Sequence, residues 1–78
     1  MTFQEKMASY TEEELRIMYG NVRTLETEGS IGDCLFRELY EWLMKERDTH
    51  MGIHVAQNAF CWEVTRRHFA GEEIHATT

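Results

Sequence analysis

The 78-residue chain contains no proline, two cysteines and only eight Lys and Arg residues against fourteen Asp and Glu. Each shortage excludes something. Two cysteines cannot staple a small secreted scaffold of the disulfide-dense kind. A net charge of −6 opposes a broad phosphate-binding face. No apolar run approaches the roughly 20 residues that span a bilayer, and Met1 to Tyr10 lacks the apolar block of a signal peptide. The expectation is therefore one cytoplasmic domain without a membrane segment. No phosphate-cradling glycine loop, nucleophile elbow or His-Glu-x-x-His run appears, so the chain is not expected to be an enzyme and no cofactor is expected.

Hydrophobic residues make up 42% of the chain and charged residues 28%, the balance of a folded protein. A chain this short buries only about 60–65% of the surface its unfolded form exposes. Nine aromatics and five methionines concentrate its apolar area in a few bulky side chains. Dense helix packing or self-association is the expected solution.

The pattern is all-α. Thr11 with Glu14 forms a capping box, Tyr10 and Leu15 are placed as a hydrophobic staple, and three carboxylates suit the positive helix end. Leu15, Met18, Val22 and Leu25 then recur at helical spacing, predicting a helix over about 12–27 that ends at Gly29. Ser30 with Asp33 restarts the pattern, and Ile31, Leu35, Phe36, Leu39, Tyr40, Trp42 and Leu43 predict a second helix over about 31–47. Asp48 to Gly52 reads as a break, with Asp48 or Thr49 able to cap a third helix over about 50–70 that stops at Gly71. Thr2 and Glu5 mark a short N-terminal helix over 3–9, and the tail 72–78 is expected to fray. Glu12–Arg16, Glu41–Lys45 and Glu63–Arg67 are spaced as i,i+4 ion pairs.

The third predicted helix has two apolar sides. Ile53, Ala56, Phe60 and Val64 form one; Met51, Val55, Ala59, Trp62 and Phe69 form the other. A helix of that kind is central or sits at an interface. Ile17 and Met44 also fall opposite the apolar stripes of their own helices. Trp42, Met44, Phe60, Trp62, Phe69 and Ile17 are accordingly the candidate partner-binding or dimer-interface residues, since interface cores favour Trp, Tyr, Met and Arg. Glu12, Glu13, Glu26, Glu28 and Asp33 form a candidate acidic face.

Three other readings attach to the histidines, the cysteines and the arginines. His50 and His54 are spaced to meet one metal ion from a single helical turn, although Cys61 lies two turns from His54 and cannot join them within the helix. Cys34 and Cys61 could be reactive thiols, but the sequence supplies neither with a base. Arg66, Arg67 and His68 are the one basic cluster. They lie at the wrong end of their helix for a helix-turn-helix reader, whose contacts come from the N-terminal end.

The sequence therefore points to a small acidic protein-interaction module. It would be a homodimer acting as an adaptor or stoichiometric inhibitor of a larger protein. Small acidic chains without catalytic motifs are typical of accessory proteins of phages and mobile elements, and an anti-defence factor is one role of that kind by analogy. The alternatives are a dimeric DNA-binding regulator and a metal-binding module built on His50 and His54.

Overall fold

The computed structural model describes residues 1–76, and the side chains of residues 1–70. Four helices follow one another: α1 (Phe3–Ala8), α2 (Glu12–Glu28), α3 (Leu35–Arg47) and α4 (Ile53–Ala76). Together they make a small all-α bundle that is 77% helical.

Local chemistry sets most of the boundaries. At both α1 and α2 the N-cap threonine hydroxyl accepts a backbone N–H, at 3.1 Å from Glu5 and from Glu14. The same glutamates reach back to accept the threonine N–H at 2.9 and 2.8 Å. Each box satisfies two N–H groups that a helix start otherwise leaves without partners. Gly29 ends α2 in the left-handed conformation at φ 79°, donating its N–H to Leu25 O at 2.8 Å. That geometry is accessible to glycine at little cost.

Three boundaries differ from the sequence pattern. The second predicted helix begins at Leu35 rather than residue 31, and Ser30 and Asp33 do not cap it. Its N-cap is Cys34, which makes no side-chain cap bond. Instead Asn21 Oδ1, carried by α2, accepts the Phe36 N–H at 3.3 Å. Asp48 closes α3, at φ 48° and ψ 51°, rather than opening α4. The break at 48–52 is therefore real, and α4 starts at Ile53 rather than residue 50.

At its other end α4 passes through Gly71 and continues to Ala76. One glycine costs a helix only about 1 kcal/mol, and no proline follows to stop it. The expected end at Gly71 is thus overturned. What was expected of the tail at Thr77 and Thr78, and of the side chains from Gly71 onward, lies outside the described residues.

One core joins all four helices. Met7 of α1, Met18, Val22 and Leu25 of α2, Phe36, Leu39 and Leu43 of α3, and Ala56 and Phe60 of α4 are all buried. Phe36 and Phe60 meet edge to face at 5.8 Å between ring centroids, a favoured aromatic geometry. Tyr40 Oη donates to Met51 O at 2.7 Å and ties the α3–α4 connection to α3. The Lys6 ammonium stands 5.5 Å from the ring centroids of both Tyr10 and Trp42, which ties α1 to the middle of α3. The molecule measures 43 × 29 × 19 Å. A thickness of 19 Å accommodates about two helix diameters. Within the bundle α3 packs against both α2 and α4, whereas the main neighbour of α4 is α3 alone, which limits how much of α4 is covered.

Candidate docking surface

That limit matters most for α4. At 100° per residue, Ile53, Ala56, Phe60, Glu63 and Arg67 fall on its inward side. Val55, Trp62 and Phe69 fall on the opposite side, seven residues apart and nearly in line. The burial follows this division. Phe60 is fully enclosed, whereas Trp62 is 72% exposed, Phe69 55% and Val55 48%. Phe60 is therefore core and not part of an interface, a correction to its placement among the partner-binding candidates.

The remaining candidates separate in the same way. Trp42 is half-buried and packs on the core, and Met44 is half-buried. Ile17 is 49% exposed, but on α2. Only Trp62 and Phe69 of the six are gathered on one exposed surface.

Between Trp62 and Phe69 lies a depression of about 470 Å³, whose walls also include Thr65, Arg66 and Ala70. The position of Arg66 there is fixed from below. Glu63 is 2% exposed, at the core end of the inward stripe. Its Oε1 accepts from Arg66 Nη2 at 2.6 Å and from Arg67 Nε at 3.3 Å, and its Oε2 accepts from Arg66 Nε at 3.1 Å. The hydrogen bonds from Arg66 hold the Glu63 carboxyl below the usual carboxylate range against the opposing effect of burial, and Arg67 adds to the lowering. A buried carboxylate so paired keeps a guanidinium beside the exposed indole.

Sequence spacing gave Glu63 as a surface partner of Arg67 and missed its burial. The available signal was its register: Glu63 lies three residues after Phe60 and seven after Ala56, on the core stripe.

A second depression, of about 390 Å³, lies between α2 and α4 and is walled by Leu15, Tyr19 and Val64 with Glu12, Arg16 and Arg67. Arg16 pairs with Glu12 at 3.2 Å, as its spacing predicts. On α3 the expected Glu41–Lys45 pair gives way to Arg37 Nε with Glu41 at 3.3 Å. Arg37 also donates to Ile31 O at 3.2 Å.

The acidic residues do not gather into one patch. Glu12, Glu13, Glu26, Glu28 and Asp33 are all exposed. However, Glu12 and Glu26 are fourteen positions apart on α2, about 21 Å along its axis. Asp33 lies in the α2–α3 connection. Glu26 is engaged with α4, accepting from Gln57 Nε2 at 2.9 Å.

The geometry also removes the premise of a two-histidine metal site. His50 precedes α4, so it and His54 do not share a helical turn. His54 Nδ1 lies 3.0 Å from Gln57 Oε1. Among the described residues no three of His, Cys, Asp and Glu are gathered to hold a metal ion. Both thiols are free and half-buried, and burial, then the Glu26 charge, push Cys61 up and away from thiolate. Among the described residues no helix is long and apolar enough to cross a membrane. Comparison with protein-family models, curated proteins and solved structures finds no match to this chain.

Proposed function

We propose that the protein is a protein-interaction module that docks through the outward side of α4 and acts stoichiometrically on a larger protein, as an adaptor or inhibitor. The observation that carries this reading is Trp62, 72% exposed and flanked at seven-residue intervals by Val55 and Phe69. Large aromatics left in water are costly, and where they cluster they commonly mark an interaction site. Their neighbour Arg66, held in place by Glu63, belongs to the same residue class that dominates binding hot spots. Between Ile53 and Ala70 the outward side of α4 carries no carboxylate, so nothing there repels an acidic or apolar partner surface.

The test compares immobilised wild-type protein with a Trp62→Gln variant in extracts of the native host. A protein captured by the first and lost by the second, with helicity and melting unchanged, is the expected result. Identical captured proteins for both would refute the docking surface.

A further inference from the structure

We infer that the outward side of α4 is occupied by the same side of a second copy, in antiparallel orientation, with the two-fold axis passing beside Trp62. This rests on the docking reading above and goes beyond it: the second copy occupies that surface in the free protein, and the larger protein displaces it.

Three observations converge. The first is register. Val55 and Phe69 lie seven residues on either side of Trp62, about 10.5 Å along the helix in each direction. Turning one helix end for end about Trp62 lays Val55 against the partner's Phe69 and Phe69 against the partner's Val55. Each end layer then contains one small and one large side chain, so the two helix axes stay evenly spaced. A parallel pair would put Val55 on Val55 at one end and Phe69 on Phe69 at the other, and the helices would splay. On the flanks the antiparallel register brings Asn58 level with the partner's Thr65, a donor–acceptor match. It brings Arg66 level with the partner's Ala59, whose single methyl leaves room for the long arginine stem.

Charge gives the second observation. Between Ile53 and Ala70 the chain has one acid, Glu63, and that one is buried. Over the same span the one formal cation off the inward side is Arg66, in the C-terminal half, while Ile53 to Cys61 holds neither Asp, Glu, Lys nor Arg. Antiparallel pairing sets each cationic half against an uncharged half. Parallel pairing sets the two cationic halves side by side. In either case, the stretch Ile53–Ala70 sets no exposed carboxylate against a second chain of charge −6.

The third is area. At their observed exposures Trp62 and Phe69 offer roughly 250 Å² of ring surface per copy. With Val55, Asn58, Ala59, Thr65 and Arg66 the patch reaches roughly 500–600 Å² per copy, or about 1,000–1,200 Å² for the pair. That lies at the lower edge of specific interfaces, which fits a dimer with a dissociation constant in the micromolar range.

The experiment combines mass with register. Sedimentation equilibrium at tens of micromolar should give twice 9.3 kDa for the wild type. For Trp62→Gln the dissociation constant should rise by about thirtyfold or more, with an unchanged circular dichroism spectrum. Orientation is read in a background with Cys34→Ser and Cys61→Ala. Copies carrying Asn58→Cys mixed with copies carrying Thr65→Cys should cross-link under mild oxidation. Asn58→Cys with Ala59→Cys, the parallel flank, should not.

A wild-type monomer at that concentration overturns the inference, as does a dimer indifferent to Trp62→Gln or cross-linking in the parallel pattern. A monomer that still captures a larger protein through Trp62 would overturn this occupant and leave the docking reading intact. A dimer whose Trp62-dependent capture fails would do the reverse.

Discussion

Replacing Phe60 by Ala should cost about 3–5 kcal/mol, the range for removing a fully buried phenylalanine from a packed core. The site offers little relief. Phe60 is entirely enclosed and its ring meets Phe36 at 5.8 Å and 71°. The lost edge-to-face contact, about 1 kcal/mol, therefore adds to the transfer and cavity costs and favours the upper part of that range. A domain of this length has a total stability of about 4–12 kcal/mol at typical per-residue values. Phe60→Ala thus removes a large share of it and should lower the midpoint of thermal unfolding by about 15–30 °C.

The comparison that gives this number meaning is Trp62→Ala, two residues away on the same helix. Trp62 is 72% exposed, so in dilute protein its removal should change stability by no more than about 0.5 kcal/mol. Circular dichroism melts and urea titrations of both variants at low concentration provide the assay. If the two cost the same, or if Trp62→Ala costs more, the assignment of the inward and outward sides of α4 is wrong.

Stability should also depend on pH through Glu63. Its carboxyl titrates lower in the folded protein than in the unfolded chain, so its contribution is complete above about pH 4.5 and is lost as pH falls through the folded value. Glu63→Gln should flatten acid unfolding in that window, and an unchanged profile would argue against the Arg66 pairing. Two glycines, one within α2 and one capping its end, should respond in opposite directions. Gly20→Ala should stabilise by about 1 kcal/mol, because a Cβ there meets nothing within 4 Å. Gly29→Ala should destabilise by about 1 kcal/mol, because φ 79° strains any side chain. Chemical denaturation of the two variants checks both signs.

These variants also mark where local sequence carried structural information and where it did not. The starts of α1 and α2 were legible because each threonine finds its glutamate three residues on, within the helix it caps. The start of α3 was not, because its N-cap Cys34 makes no side-chain bond and the Phe36 N–H is instead accepted by Asn21, brought from another helix by tertiary packing. Asp48 resembled an N-cap by type, but its left-handed backbone closes the preceding helix instead.

On α4 the sequence set Phe60 apart from Val55, Trp62 and Phe69 without indicating which side faces the core, and it misplaced Met51, which precedes α4 and packs against the core. Phe60 and Trp62 are equally apolar by composition, and only the positions of Phe36, Leu39 and Leu43 decide between them. Glu63 was obscured by its charge, since its burial depends on two arginines reaching over it. The acidic residues looked like one face because they are frequent, but the helix distributes them around α2 and along it.

The most direct test of the central claim, that the outward side of α4 is built for association, is the environment of the Trp62 indole itself. In a Trp42→Phe protein Trp62 is the sole indole, and its emission and acrylamide quenching can be followed from nanomolar to high micromolar concentration. The expected result is a water-exposed, readily quenched indole in dilute protein that shifts to the blue and becomes protected as concentration rises. An indole that stays fully quenchable across the whole range would contradict it.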